Sequence, residues 1–209
     1  MEQDALEQKR AALLAAGVLM MDPSAVYVEA GVTVGAGTLL LPGTILRGNT
    51  VIGEHCEIGP NTMLTDCTVG DGAVINSSQC NESTIDAGAH VGPFAYIRPN
   101  CHVGKDVKVG DFVELKNSTI GDGTKISHLT YIGDSDVGSQ CNFGCGTVVV
   151  NYDGKKKYRH HRQPLLRGLQ HQPGVSGAPG GLGVHRCGLH HHPGRARGPA
   201  GYRPGQTGQ

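Results

Sequence analysis

The sequence predicts an all-β protein, a parallel β-helix made of repeated six-residue units, with a short helix at its N-terminus. Between residues 28 and 150, an aliphatic residue recurs about every six positions, and a small or β-branched residue follows it four positions later. Gly is abundant, with 33 in 209 residues, and aromatic residues make up only 4%. Such hexads are typical of solenoids, in which a coil buries its apolar edge only by stacking on its neighbours.

The N-terminal segment, residues 1–17, is predicted to be helical, because its leucines are interleaved with Ala and charged residues. Gly17 is a typical helix end, and residues 21–23 are expected to form the turn that leads into the first coil. The helix is either a cap on the solenoid or the remnant of a linker. We therefore divide the ordered part into a linker helix, 1–22, and a solenoid domain, 23–159.

The hexads predict which side chains point inward. The clearest run of aliphatic leaders is Ile85, Val91, Ile97, Val103, Val109 and Leu115. The positions four residues later hold Ala89, Ala95, Cys101, Val107, Val113 and Thr119. Three hexads make a triangular coil of about eighteen residues, so the segment holds about seven coils. Five-residue steps at 64–69, 115–120 and 132–137 shorten one side of a coil without ending the stack.

Cysteine placement and hydropathy favour a cytoplasmic protein. Cys56, Cys101 and Cys141 each fall on the small-residue position of a hexad, which favours inward-packing thiols over disulfides or metal ligands. No apolar stretch reaches membrane-spanning length, and the N-terminus lacks the pattern of a secretory signal. We expect neither a membrane nor a nucleic acid as a partner.

Two cations are predicted to share one corner of the solenoid. Arg98 and Lys116 are eighteen residues apart, so they should lie on the same face of successive coils, about 4.8 Å apart along the stack. Allowing for the short step at Leu115, Tyr131 comes beside them one coil later. Stacked like charges favour a phosphate or carboxylate ligand. The alternative is a solvated face with local counter-ions such as Glu114.

A histidine lies on the neighbouring edge. His128 and Cys145 each stand two residues after a hexad leader, so they should be register partners on successive coils. An imidazole can take a proton from an incoming nucleophile, although a lone His is more often structural. His90 and His102 lie on two different sides of one coil, so a three-histidine metal site is not expected.

After Val150 the hexads are interrupted by the turn-forming and basic residues 151–157. We expect this segment to be a loop that leaves the stack. Basic loops on a rigid scaffold suit phosphorylated ligands, and the alternative is a solvated run of charges.

Three motifs carry a resemblance to a known family. They are G-D-F-V-E-L-K-N-S-T-I-G, S-H-L-T-Y-I-G-D and V-N-Y-D-G-K-K-K, in that order and spacing. Over about residues 5–159 the chain resembles the family of bifunctional N-acetylglucosamine-1-phosphate uridyltransferase/glucosamine-1-phosphate acetyltransferases. The resemblance implies a left-handed β-helix that assembles as a homotrimer with active sites between subunits. It also implies acetyl transfer from acetyl-CoA to the amine of glucosamine 1-phosphate, in UDP-N-acetylglucosamine and peptidoglycan precursor synthesis, without a metal in this domain.

The family pattern assigns roles to residues of this chain. His128 would be the general base that takes a proton from the sugar ammonium. The sugar phosphate would be held by two cations, Arg98 and Lys116. The sugar site would be completed by Tyr131 and Asn142. The residues implied to lie along acetyl-CoA are Cys145, Asn151, Tyr152 and Lys157.

Two departures from the family matter. The family's N-terminal nucleotidyltransferase domain is not encoded in this sequence, so uridyl transfer is not expected. The composition also changes abruptly after about Arg159: residues 1–159 carry 12 Lys+Arg and 18 Asp+Glu, while 160–209 add six Arg and no acid, which completes the totals of 18 and 18. Codons can be chosen for stretches of the tail, such as Gly183 to Ala196, so that they read as family-like hexads one base out of frame. We therefore expect a reading-frame shift after about Arg159.

The tail decides how much activity we expect. A segment this rich in Gly, Pro and His, with few aliphatic residues, is predicted to be disordered over 160–209. It would replace the later coils by which the family holds acetyl-CoA, so activity of this chain is expected to be weak or lost. The alternatives are a hexapeptide acyltransferase with another acceptor, or a solenoid scaffold without enzymatic activity.

Overall fold

The chain winds into a parallel β-solenoid of about seven coils, preceded by one short helix. The structure, a computed structural model, describes residues 2–152, 154–157 and 160–162, with side chains over 4–152 and 154–157. Every pairing between its named strands is parallel and joins one coil to the next. The predicted parallel β-helix is thus confirmed. Left-handed winding is what the family resemblance implies.

Each coil has three sides, so the strands form three faces. The first face contains Leu19–Met20, Leu39–Leu40, Glu57–Ile58, Val74–Ile75, His90–Val91, the starts of Lys108–Lys116 and Lys125–Gly133, and Asn142–Phe143. The second face contains Tyr27–Val28, Ile45–Arg47, Met63–Thr65, Gln79–Asn81, Tyr96–Ile97 and the ends of the same two long strands. The third face contains Thr33–Val34, Val51–Ile52, Thr68–Val69, Thr84–Ile85, His102–Val103, Thr119–Ile120, Ser135–Val137 and His160–Arg162.

Two long strands turn the corner between the first and second faces without a break. Lys108–Lys116 and Lys125–Gly133 pair with each other on both sides of this corner, from Lys108 opposite Lys125 to Lys116 opposite Gly133. Elsewhere in the described chain the strands are two or three residues long. These two coils are therefore the best-paired part of the solenoid, and most of the predicted site residues lie on or beside them.

The core is a set of aliphatic ladders inside the solenoid. All six leaders of the clearest run are buried, with at most 2% of each residue exposed. Five of the six residues four positions later are also buried, from Ala89 to Val113. The sixth expectation, Thr119, is wrong, because Thr119 is exposed and Ser118 is buried in its place. The five-residue step from Leu115 to Ile120 moves the inward position one residue earlier.

The three predicted short steps are confirmed, since the residues at both ends of each step are buried. Two further short steps, from Ile75 to Cys80 and from Cys80 to Ile85, escaped the sequence analysis. Cys80 occupies a leader position and is fully buried, yet it is not an aliphatic residue. A search for aliphatic leaders alone therefore misses the coil side that it begins.

The N-terminal helix, Glu2–Ala15, is a cap on the first coil. Leu13 is buried against the solenoid core. The Lys9 ammonium donates to the Val32 carbonyl at 2.6 Å, and the Arg10 Nε donates to the Val26 carbonyl at 2.8 Å. These bonds satisfy carbonyls at the open end of the stack, where there is no earlier coil. The helix therefore covers the open end of the first coil.

The strand His160–Arg162 corrects one predicted boundary. It pairs with Ser135–Val137 on the third face, although the disordered tail was predicted to begin at residue 160. Without this partner, the strand Ser135–Val137 would leave one edge unpaired. Backbone pairing to such an edge does not require a hexad pattern of side chains. The rest of the predicted tail, 163–209, lies outside the described residues.

The inward packing predicted for Cys56, Cys101 and Cys141 is confirmed, and the cysteines of the described chain are free thiols. Cys56, Cys101 and Cys141 are buried, and Cys145 is exposed. Burial raises the pKa of Cys101 and raises that of Cys80 well above its ordinary value, so these thiols stay protonated. Within the described residues, no helix is long and apolar enough to cross a membrane.

Replacing a core leader should cost far more stability than replacing an outward residue of the same kind. We expect Ile97→Ala to lower the free energy of unfolding by about 2–5 kcal/mol, because Ile97 is fully buried and the ladder cannot collapse into the cavity. Val51→Ala, at an outward position that is 45% exposed, should cost about 0.5 kcal/mol or less. Denaturant unfolding measures both, and equal losses would contradict the assignment of the core.

Candidate active site

Arg98 and Lys116 lie side by side on the second face. The backbone register pairs Ile97 with Leu115, and the Arg98 N–H donates to the Leu115 carbonyl at 2.9 Å. The two cationic residues therefore occupy the same position on adjacent coils. The predicted alignment is confirmed.

Both cations have local counter-ions. A guanidinium nitrogen of Arg98 donates to the Glu114 carboxylate at 2.9 Å, and this bond raises the pKa of Arg98. The Lys116 ammonium lies 3.8 Å from Asp134 Oδ2, which is ion-pair distance without a hydrogen bond. The local counter-ions that the alternative predicted, such as Glu114, are therefore present at this corner. They leave the ammonium protons of Lys116 available to an anion.

We call the site of Arg98 and Lys116 the cation corner. The phenol of Tyr131 reaches it by lying over Gly133, a residue of the next coil that has no side chain. The register partner of Tyr131 is Glu114, while Lys116 is opposite Gly133. A methyl group added at Gly133 would overlap the Tyr131 hydroxyl and the Asn151 side-chain amide. The phenol therefore lies over Gly133, in the column of Arg98 and Lys116, as the spacing predicted.

Asp134 joins the elements of this corner. Its Oδ1 accepts a hydrogen bond from Asn117 Nδ2 at 2.7 Å, and its Oδ2 accepts one from Asn151 Nδ2. Asn151 Nδ2 also donates to the Tyr131 hydroxyl at 3.3 Å. Burial acts to raise the pKa of Asp134, but these hydrogen bonds and the charges of Lys116 and Lys157 together hold it below its ordinary value. The carboxylate is therefore ionised at neutral pH.

His128 lies around the corner from the cations. It follows the first face on the strand Lys125–Gly133, opposite Asp111, and its Nδ1 is 3.7 Å from Asp111 Oδ2. The His128 side chain is 58% exposed, so it is accessible to a ligand. Ile126 pairs with Phe143, and continuing this register puts His128 opposite the exposed Cys145, as predicted.

Asn142 is separated from the other residues predicted for the sugar site. It is exposed on the first face, opposite Lys125, whereas the two cations and Tyr131 lie on the second face. One copy of the chain therefore does not bring Asn142 to the cation corner. The prediction that it contributes to the same sugar site requires a site shared between copies.

The residues predicted to lie along acetyl-CoA follow two different paths. Asn151 turns inward to Asp134, while Tyr152 is 53% exposed and its hydroxyl donates to the Gly154 carbonyl at 2.8 Å. Lys157 forms a bridge with Tyr152 and its charge reaches Asp134. The predicted loop is thus anchored at its start to the cation corner.

Sequence reasoning missed Asp134, Asn117 and Asp111. Asp134 stands directly after Gly133, at the end of the S-H-L-T-Y-I-G-D motif, and Asp111 is inside the G-D-F-V-E-L-K motif. Counting coil positions would have placed Asp111 beside His128. The orientation of Asp134 toward Asn151 depends on how the chain leaves the last hexad, which the repeat does not specify. No group of three or more potential metal ligands occurs among the described residues.

Two family models match parts of this solenoid. Residues 31–66 match the family model "Bacterial transferase hexapeptide (six repeats)", and residues 79–153 match the "GMPPB C-terminal domain".

Over the matched region, the chain is similar to the C-terminal acetyltransferase domain of bifunctional GlmU proteins. It is 53% identical over 141 residues to the "Bifunctional protein GlmU" of Clostridium kluyveri, covering 68% of this chain and 31% of that protein. It is 52% identical over 144 residues to the protein of the same name from Mycolicibacterium gilvum, covering 69% and 29%. The chain thus spans about a third of the length of these relatives.

Among solved structures, the backbone is similar to a "UDP-N-acetylglucosamine acyltransferase from Campylobacter jejuni". The TM-score is 0.46 and the sequence identity 15%, over 63% of this chain and 67% of that one.

Filling the gap at Gly133 should displace the phenol of Tyr131 without unfolding the protein. Gly133→Ala would overlap only the ends of two side chains, so we expect a small change in melting temperature and a changed NMR environment for the Tyr131 ring. Gly110→Ala is the matched control, because its methyl group would overlap the Ser127 carbonyl, which is backbone. We expect that variant to be strongly destabilised. An unchanged Tyr131 spectrum in Gly133→Ala would contradict the placement of the phenol.

Proposed function

We propose that this chain is a glucosamine-1-phosphate acetyltransferase, which transfers acetyl from acetyl-CoA to the sugar amine to give N-acetylglucosamine 1-phosphate. The observation that carries the proposal is the cation corner, where Arg98, Lys116 and the phenol of Tyr131 meet on one face. The match to the C-terminal part of GlmU proteins supports the choice of substrate. Uridyl transfer is not proposed, because the match covers only 31% of that relative.

The cation corner suits the phosphate of the acceptor. Arg98 offers a planar set of N–H donors, and Lys116 offers ammonium protons that Asp134 does not consume. A phosphate bound between them would compete with Glu114 for Arg98. Glu114 and Asp134 balance the two positive charges, which reduces the repulsion between Arg98 and Lys116. The two cations can still donate N–H groups to a phosphate.

His128 would supply the proton chemistry. The amine of glucosamine 1-phosphate must lose a proton before its lone pair can attack, and His128 would accept that proton. The nitrogen then forms a bond to the acetyl carbon, the carbon–sulfur bond of acetyl-CoA breaks, and the thiolate of coenzyme A leaves. Asp111, 3.7 Å from His128 Nδ1, would stabilise the imidazolium that results.

The donor, acetyl-CoA, is proposed to lie along the segment that follows the last hexad. Cys145 is opposite His128 in register, and Asn151, Tyr152 and Lys157 continue from it toward the cation corner. Acetyl-CoA is a cytoplasmic metabolite, and the free thiols of the described chain suit that reducing compartment. A cytoplasmic location is part of the proposal.

The second face favours assembly into a homotrimer. Its outer column runs the length of the solenoid and is largely apolar: Tyr27, Ile45, Met63, Gln79, Tyr96, Glu114, Tyr131 and Val148. The matching column of the third face is mainly Thr, and that of the first face carries Lys108 and Lys125. Among the described residues, the outer column of the second face is therefore the most apolar of the three.

An apolar ridge borders this face. We define it as Phe94, Phe112 and Leu129, which lie at the corner between the first and second faces and are 59%, 59% and 57% exposed. The two phenyl rings stack with centroids 5.5 Å apart. All three residues have left-handed backbone conformations, which bulky side chains rarely adopt. Burial against another chain would offset this cost.

The proposed sugar site requires a second copy of the chain, because one copy does not bring Asn142 to the cation corner. The ridge separates the cation corner from the side that carries His128 and Asn142. Seven strand spacings make the apolar column about 34 Å long. In a ring of copies, each chain would bury this surface against one neighbour and receive another neighbour's, which would complete the sugar site between subunits.

Acetyl transfer is tested with the purified full-length chain, radiolabelled acetyl-CoA and glucosamine 1-phosphate. We expect slow formation of labelled N-acetylglucosamine 1-phosphate, because residues 160–209 do not continue the hexads. His128→Ala should reduce the rate by about 10²–10⁴-fold, the usual contribution of a general base. His90→Ala, an exposed His of the first face, is the control and should leave the rate unchanged.

Several outcomes would revise this proposal. No labelled product from the unaltered chain would mean that the activity is lost rather than weak, and preference for another acceptor in a screen would contradict the proposed substrate. If His128→Ala retained full activity, another group would have to be the base. Turnover in the ordinary enzymatic range of about 1–10³ s⁻¹ would refute the expectation of weak activity.

Trimer formation is tested at the apolar ridge. Phe112→Asp should convert the assembly to monomers in light scattering, because the change removes the stacked ring and puts a charge into the interface. Asp tolerates the left-handed backbone at this position better than Phe does, so the fold should persist. Val51→Asp on the third face is the control and should leave the trimer intact. A monomeric unaltered chain would contradict the proposal.

A further inference from the structure

We propose that Asp134 is a positioning residue, which holds Lys116 of the cation corner and Asn151 of the acetyl-CoA segment in one fixed arrangement. The inference rests on the proposed function, since it gives Asp134 a role in aligning acceptor and donor. Asp134 itself would touch neither substrate. It would act through the residues that do.

The backbone at this corner does not explain the carboxylate. Asp134 belongs to a column at the corner between the second and third faces, in which Glu82, Asn100 and Asn117 precede it on earlier coils. All four residues have a left-handed φ, between +43° and +62°. Asn is common in that conformation and already occupies it twice here. The corner therefore accepts an amide, and it also accepts the carboxylates of Asp66 and Glu82, so the role of the charge at Asp134 lies in its own contacts.

The contacts of the Asp134 carboxylate define that role. Its side chain is only 13% exposed. One oxygen accepts from Asn117 on the preceding coil, and the other accepts from Asn151, seventeen residues further along the chain. The second oxygen also faces the Lys116 ammonium at 3.8 Å. Both carboxylate oxygens thus accept a hydrogen bond, one from the preceding coil and one from the segment that follows the last hexad.

The link to Asn151 fixes the start of the segment after the last hexad. Just before Asn151, the Val149 N–H donates to the Tyr131 carbonyl at 3.0 Å, and Asn151 Nδ2 donates to the Tyr131 hydroxyl. Without the carboxylate, Asn151 would keep only the longer, 3.3 Å contact to the phenol. Asp134 therefore determines where this segment begins relative to Tyr131 and Lys116.

The charge of Asp134 also balances two cations. Lys116 and Lys157 approach it from different elements, and both act to lower its pKa. The other charged groups nearby, Arg98 and Glu114, form their own pair. Loss of the Asp134 charge would leave the positive charges of Lys116 and Lys157 without this shared counter-ion. We expect them to separate, which would move both binding sites.

The test compares Asp134→Asn with Asp134→Glu in the full-length chain. The amide keeps the shape and removes the charge, while Glu restores the charge, and Glu82 occupies the same corner on an earlier coil. Asp122→Asn is the control, because the Asp122 carboxylate accepts the Lys105 backbone N–H at 2.9 Å on an exposed part of the surface. The readouts are KM and kcat for both substrates, and hydrogen exchange of the Val149 amide.

We expect Asp134→Asn to lower kcat/KM about tenfold to a hundredfold, mainly through a higher KM for both substrates. The Val149 amide should exchange faster, while amides in the earlier coils keep their protection. Asp134→Glu should recover part of both effects, and Asp122→Asn should show neither.

Two results would overturn the inference. One is unchanged kinetics and unchanged Val149 exchange in Asp134→Asn. The other is faster exchange throughout the solenoid, which would mean that Asp134 acts only on stability. If the unaltered chain proved inactive, its kinetics could not be compared, but the exchange of Val149 would still decide whether Asp134 holds this segment.

Discussion

The parallel backbone ladder is the constraint on which the rest of this structure depends. Backbone N–H groups on the strands of one coil donate to carbonyls of the next coil, so residues sixteen to eighteen positions apart are forced to become neighbours. Arg98 and Lys116 meet for this reason and no other. Only 4% of the residues are aromatic, so aromatic packing contributes little to holding the site residues in place. Backbone pairing between coils holds them instead.

The same ladder concentrates irregular conformations at the corners. Left-handed residues recur there coil after coil, and the side chains at these points serve different purposes on different corners. On one corner Phe94, Phe112 and Leu129 form an exposed ridge, which suits contact with another chain. On another, Asn117 and Asp134 turn inward and hold the cation corner together. Corner positions are thus where this fold departs from its repeat, and both features bear on function.

Much of this arrangement could be predicted from the sequence. Hexad spacing was sufficient for the buried leaders, for the alignment of Arg98 with Lys116, and for the pairing of His128 with Cys145, because register follows directly from counting. Counting was insufficient where a step was shortened at a non-aliphatic leader, as at Cys80, and where a side chain reaches across a gap. Asp134 illustrates the second case: its bond to Asn151 depends on the path of a segment without repeats. The separation of Asn142 from the cation corner likewise follows from the three-sided coil once the faces are assigned.

The most direct test of this account is a double-mutant cycle on the affinity for glucosamine 1-phosphate, measured by calorimetry with Arg98→Gln, Lys116→Gln and both together. If the ladder brings the two cations to one phosphate, each change weakens binding and the effects are non-additive, with a coupling energy of about 1 kcal/mol or more. If the two changes are additive, or neither weakens binding, the cations do not act on a common ligand and the account is wrong.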